Sequence, residues 1–156
     1  MDRFDDAKRS AIMAAVGGRN TKPEIFVRKL LFSAGYRYRI NSTKLIGKPD
    51  IVLSKHKVIV FVHGCFWHMH AGCSRSSVPE SKREFWEHKL RSNVERDRIV
   101  SDSLIALGWR VLIVWECACQ KRWSMKLLSE MDAFIRNPDE VRREIGKADL
   151  ADEPTR

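Results

Sequence analysis

No stretch of this 156-residue chain is long and apolar enough to span a bilayer, and its opening MDRFDDAKR lacks the hydrophobic segment of a secretory signal. A cytoplasmic protein with no membrane role is therefore expected. A glycine-rich phosphate loop is missing too. Val16-Gly17-Gly18 is not followed by Gly-Lys-Ser/Thr, which argues against a nucleotide-hydrolysing engine. No internal repeat is visible, so repeat architectures are excluded. Cysteine is sparse, with four residues (Cys65, Cys73, Cys117 and Cys119), and in a cytosolic chain such a set points to metal before disulfides.

Positive charge is what the chain has in excess. The formal net charge is +9 and it is unevenly spread: residues 139–156 hold six acids and four bases, leaving about +11 on the rest. A basic body fits a polyanionic partner, nucleic acid first among them. At this length one domain is expected. It would comprise a mobile arm over residues 1–20, a body over 21–138 and a polar, frayed tail over 139–156.

Periodicity and capping signals order the body. Thr21-Lys22-Pro23-Glu24 reads as a helix start, with Thr21 as N-cap and Glu24 closing a capping box. Val27, Leu30, Leu31 and Ala34 form its buried stripe, and Gly35 stops it. Tyr36 to Ile40 is a short predicted strand. Ile51 to Leu53 and Val58 to Val62 flank the polar turn 54–57 as an antiparallel hairpin. Ser81 with Glu84 makes a second capping box for a long helix toward Leu107, with Trp86, Leu90, Val94, Ser101 and Leu104 on its inner stripe. Asp97 shares that stripe, and a buried acid asks for a partner such as Arg110. Arg110 to Trp115 is another strand, and Ser124 caps a last helix through Ile135. This order predicts an α/β fold, a mixed β-sheet flanked by helices.

Chemistry concentrates at the end of the 58–62 strand. Three of the five histidines and two of the four cysteines lie within residues 63–73. Cys65, His70 and Cys73, joined by Cys117 from the end of the next strand, make a set common in closed structural zinc sites, with Cys119 as an alternative to Cys117. The basic surroundings are expected to help hold the thiolates charged. His63, His68 and Asp50 remain spare, and the hairpin places Asp50 near Val62 and His63. A carboxylate and two imidazoles beside a basic surface suit phosphodiester hydrolysis, with Mg2+ at the phosphate and a histidine deprotonating water. Asp50 alone also reads as a turn residue. Glu24 is either a cap only or a carboxylate lying behind the metal. Phe66 and Trp67, with Trp86, either wedge between base pairs or cover the zinc loop.

Five stretches carry a resemblance over roughly residues 5–135: Gly47-Lys48-Pro49-Asp50, FVHGCFWHMH at 61–70, Glu84-Phe85-Trp86, NVERDR at 93–98 and GWRVLIVWEC at 108–117. Together they resemble the very short patch mismatch-repair endonucleases. The resemblance implies a restriction-endonuclease-like catalytic domain over 21–138 with a structural zinc site. It implies a nick in one strand of double-stranded DNA, 5′ to the thymine of a T·G mismatch left when 5-methylcytosine is deaminated. Functional links to a cytosine-5 methyltransferase and to mismatch-repair proteins follow, and a monomer is expected. By the same resemblance, Asp50 binds Mg2+ alongside the Val62 carbonyl, and His68 is the general base supported by Asp97. His63 assists at the phosphate and Glu24 lies behind the metal. Cys65, His70, Cys73 and Cys117 match the zinc ligands, and Phe66, Trp67 and Trp86 match aromatics inserted beside the mismatch.

Departures from the family pattern are small. Val62 replaces the usual threonine but offers the same backbone carbonyl, and Ala71-Gly72 lengthens the spacing before Cys73. No Asp or Glu lies between Asp50 and Glu80, so the acidic-x-Lys partner of the wider restriction fold is absent and histidines must supply the base. Two rival readings differ in kind: a non-catalytic zinc-containing DNA-binding module, and a restriction-type endonuclease cutting both strands.

Overall fold

The computed structural model describes residues 20–151. But for Asn20, the arm expected over residues 1–20 lies outside them. The elements are α1 (Lys22–Ser33), β1 (Arg39–Ile40), β2 (Ile51–Leu53), β3 (Val58–His63), α2 (Arg83–Ala106), β4 (Arg110–Trp115), α3 (Ser124–Arg136), β5 (Arg142–Ile145) and α4 (Lys147–Leu150). Five strands lie side by side in chain order. The β1–β2 and β2–β3 pairs are antiparallel, whereas β3–β4 and β4–β5 are parallel, each bridged by a crossover helix. The sheet is mixed and flanked by helices, as the element order predicts.

β3 and β4 are apolar on both faces because both faces are covered. On one side Val58, Val60, Leu112 and Val114 pack with Val27 and Leu31 of α1 and with Leu127, Met131 and Phe134 of α3. On the other, Ile59, Phe61, Val111, Ile113 and Trp115 pack with Val100 and Leu104 of α2. The result is two helices, a sheet and one long helix, in three layers.

Local signals explain most element ends. Thr21 caps α1, its hydroxyl accepting the Glu24 N–H at 3.3 Å. α2 departs from expectation: it starts at Arg83 with Lys82 as N-cap in the left-handed region (φ 54), not at a Ser81 cap. Val94 is 41% exposed and Val100 takes the inner place, because Asp97 and Ser101 turn toward a cleft where the apolar stripe is interrupted. Ser124 is the first residue of α3, not its cap, and its hydroxyl donates to the Lys121 carbonyl at 2.8 Å. Only Arg39–Ile40 of the expected 36–40 strand pairs. Tyr36 instead enters the core, its hydroxyl bonded to Asp132.

The expected tail is the largest correction. Residues 142–145 form β5, paired with 111–114, and α4 follows directly. β5 is a charged edge strand with one deeply buried residue, Ile145, so its pattern carries no hydrophobic alternation.

Two contacts fix the layers. Gly47, at φ +78, lies so close to α2 that a Cβ there would sit 2.4 Å from Cγ1 of Val100. Arg110 does not meet Asp97. Its buried guanidinium donates to the carbonyls of Phe134 (2.7 Å), Ile135 (2.8 Å) and Asn137 (2.9 Å), capping the end of α3, and to His56 (3.2 Å). Arg110→Leu strands those carbonyls, and urea titration should show a loss of about 2–4 kcal/mol.

Candidate active site and metal centre

A cleft of about 1080 Å³ opens at the end of β3, and Glu24, Asp50, Val62, His63, His68 and Asp97 all line it. The β2–β3 register pairs Ile51 with Val60, which brings Asp50 level with the strand end. There its Oδ2 accepts the Val62 N–H at 2.7 Å. Burial pushes the Asp50 carboxyl up to about 7; the Val62 N–H opposes the rise, and the neighbouring Glu24, hydrogen-bonded to it, adds to it. Glu24 is 3% exposed and accepts from Nη2 of Arg28 at 3.2 Å. Its side chain therefore serves Asp50 and Arg28. Two clustered carboxylates with one guanidinium form an oxygen-rich pocket whose chemistry fits a hard divalent cation.

The histidines form a second group. Nδ1 of His68 lies 2.5 Å from Oδ2 of Asp97, so the carboxylate holds the proton on Nδ1 and Nε2 keeps its lone pair. His63 stacks on His68 with ring centres 3.8 Å apart and planes 5° from parallel. Burial, followed by the electrostatic influence of His68 and Arg142, holds His63 well below the usual histidine range, which favours its neutral form. Side-chain atoms of His63, His68 and Asp97 come within 4.8 Å of one another. Imidazole lone pairs lie in the ring plane, and parallel planes do not meet at one ion.

Four soft ligands gather beside the cleft without lining it. Atoms of Cys65, His70, Cys73 and Cys117 lie within 4.8 Å of one another. Nδ1 of His70 is 3.6 Å from Sγ of Cys65 and 3.5 Å from Sγ of Cys117. A tetrahedral zinc ion requires an S···N edge of about 3.6 Å, so the set fits. Cys119 stands apart, its Sγ facing the Trp115 carbonyl at 3.7 Å. One expectation is corrected here. Burial pushes the Cys65 and Cys117 thiols up, so the basic body does not hold them ionised and a metal must displace their protons. The Lys147 N–H donates to Sγ of Cys117 at 3.2 Å, and a Cβ on Gly146 would meet Cε1 of His70 at 2.7 Å. The β5–α4 junction thus closes over the cluster.

Phe66 and Trp67 line the cleft, half-buried, with ring centres 5.2 Å apart. Trp86 packs on both, at 5.6 and 6.0 Å, and is only 8% exposed. It is the backing of the pair.

The profile of the DNA mismatch endonuclease Vsr family matches residues 1–75. The Type II nicking enzyme V.NmeAIP of Neisseria meningitidis serogroup A is 46% identical over 121 residues, 78% of this chain and 86% of that protein. V.XorIIP, a Type II nicking enzyme of Xanthomonas oryzae pv. oryzae, is 40% identical over 136 residues, 87% of this chain and 95% of that protein. The DNA mismatch endonuclease Vsr of Escherichia coli is 45% identical over 121 residues, 78% of this chain and 77% of that protein. The chain belongs to the Vsr family of DNA mismatch endonucleases. Among its described residues, no helix is long and apolar enough to cross a membrane.

In this Vsr-family chain the structure adds supports that the sequence does not single out. Arg28 pairs with Glu24, and Glu116 lines the cleft while accepting the Cys65 N–H at 3.4 Å. Glu116 sits between a strand end and Cys117, a visible signal. Gly146 was a single glycine in charged surroundings.

Two measurements probe the paired centres. Elemental analysis should find about one zinc per chain in Cys119→Ala and a loss of metal in Cys117→Ala. The pH dependence follows from Asp50. Unfolded, it gives up its proton near pH 4, roughly, whereas folded it keeps that proton to about 7, so its stability contribution declines as pH rises through that window and is level above. Asp50→Asn removes the decline. Without added divalent cation, the melting temperature of Asp50→Asn should gain on the parent between pH 4 and 7, and Mg2+ should narrow the gap by stabilising the parent alone.

Proposed function

We propose that this protein is a Mg2+-dependent, zinc-containing endonuclease that nicks double-stranded DNA 5′ to the thymine of T·G mismatches. These mismatches arise by deamination of 5-methylcytosine, and the nick starts very short patch repair. The observation that carries the reading is one cleft holding the Asp50–Glu24 carboxylates, the His63–His68–Asp97 group and the rings of Phe66 and Trp67. Relatives named as nicking enzymes support a single-strand cut over a double one. The mixed sheet with its site at a strand end is consistent with a restriction-endonuclease-like fold.

When bound, Mg2+ supplies positive charge at the scissile phosphate. Asp50 and the Val62 carbonyl would hold it, with Glu24 behind. His68 takes the proton of the attacking water on Nε2, while Asp97 orients the ring and stabilises the imidazolium. Neutral His63 offers an N–H to the phosphate. Lys22, Lys48 and Arg96 on the cleft wall meet backbone phosphates. Cys65, His70, Cys73 and Cys117 would hold zinc, which would pin the loop that carries His68 and the aromatics. Phe66 and Trp67, backed by Trp86, wedge beside the mismatch, where unstacking costs less than in paired DNA. The enzyme works as a cytoplasmic monomer, following a cytosine-5 methyltransferase and alongside mismatch-repair proteins.

Single-turnover cleavage of T·G and T·A duplexes, read by strand on denaturing gels, tests this. The parent should nick only the thymine strand of T·G DNA. Asp50→Ala and His68→Ala should slow the step by about 10³-fold or more with DNA affinity retained. Phe66→Ala and Trp67→Ala should narrow the T·G over T·A ratio. Cuts in both strands would mean a restriction-type enzyme, and tight binding without cleavage a DNA-binding module.

A further inference from the structure

Trp115, the last residue of β4, makes contacts that neither metal centre requires. Its indole lies flat on His70, with ring centres 4.1 Å apart and planes 8° from parallel. It also meets the His63 ring edge-on, at 5.4 Å and 72°. His63 stacks on His68, and His68 bonds Asp97. A continuous pile of rings therefore runs from the cysteine–histidine cluster to the proposed base.

The pile is tied at one point outside itself. Nε1 of Trp115 donates to Oε1 of Glu144 at 3.2 Å. Trp115 is 7% exposed, and a buried indole N–H needs such an acceptor. Glu144 comes from the edge strand β5, in register with Ile113, and its side chain is 47% exposed. Its replacement therefore leaves the core intact.

We infer that Trp115, held by Glu144, is a positioning residue that transmits the geometry of the cysteine–histidine cluster to the His63–His68 pair. The inference rests on the proposed roles of those two histidines. Without its acceptor the buried indole N–H is left unpaired, and a small shift of the ring toward another partner carries His63 and His68 with it. A displacement on the order of 1 Å in a reacting group is enough to cost about a hundredfold in rate. Arg142 lies 3.9 Å from Glu144, so the charge of Glu144 has to be separated from its hydrogen bond. Glu144→Gln removes the charge and keeps a carbonyl acceptor, whereas Glu144→Leu removes both.

Glu144→Leu should lower the single-turnover rate on T·G DNA about ten- to a hundredfold, with DNA affinity and zinc content at parental values. Glu144→Gln should restore the rate to within about threefold, an outcome that charge loss or general loosening of β5 would not produce. Independently of activity, nitrogen–proton NMR spectra should show one indole N–H signal and the ring signals of His63 and His68 moving together in Glu144→Leu and holding in Glu144→Gln. Histidine signals unmoved in Glu144→Leu, or a Gln variant as slow as the Leu variant, overturn the inference. If the parent fails to nick T·G DNA, the functional proposal falls while the NMR comparison still decides the coupling.

Discussion

The parallel ladder between β3 and β4, Val58 to His63 against Arg110 to Trp115, is the constraint on which both centres depend. Strands that are apolar on both faces specify their register weakly, since a slip exchanges one hydrophobic side chain for another. Polar groups at the two ends supply what the middle lacks. At one end the Arg110 N–H donates to the Lys57 carbonyl at 2.8 Å while its guanidinium grips the end of α3. At the other, His63 stands opposite Trp115. With the ladder locked, Asp50 reaches Val62, Cys65 reaches Cys117, and Glu116 reaches the backbone of the loop between them.

Burial opposes ionisation in both places. It raises Asp50, Cys65 and Cys117, whose negative charge a bound cation would compensate, and it depresses His63, which favours the neutral imidazole. Ligand chemistry then sorts the cations. Oxygen donors around Asp50 suit a hard ion that keeps part of its water, whereas three sulfurs and an imidazole suit a borderline-soft ion in a closed shell. The two ions would share a strand end without competing for a ligand.

The candidate ligands are legible in the sequence because ligand chemistry is dense and local. Pro49-Asp50, the run from His63 to Cys73 and Cys117 after a strand all announce themselves by residue type. The sheet body was legible because β3 and β4 are uninterrupted apolar runs. Edges were not. β5 reads as acid and base because an edge strand shows charge to water on purpose, and its one anchor, Ile145, makes no period. Glu24 satisfies a capping rule on its own, so the residues alone leave its cap and its place beside Asp50 as alternatives, and only the fold brings the two carboxylates together. For Asp97 the residues alone suggest an arginine such as Arg110 while the resemblance implies His68; the fold sends Arg110 to α3 and gives the carboxylate to His68.

Gly47 has a bearing on how this sequence can drift. It joins the loop that delivers Asp50 to the helix that delivers Asp97, and the gap between them leaves no room for a methyl group against Val100. The separation of the two halves of the cleft is thus written in a hydrogen atom. A larger side chain at Gly47 forces the loop outward unless Val100 shrinks in step, and the positive φ resists most replacements on its own account. The two positions, distant in sequence and both outside the chemistry, are bound to an ordered history: a larger residue at Gly47 widens the cleft unless a smaller one at Val100 has come first.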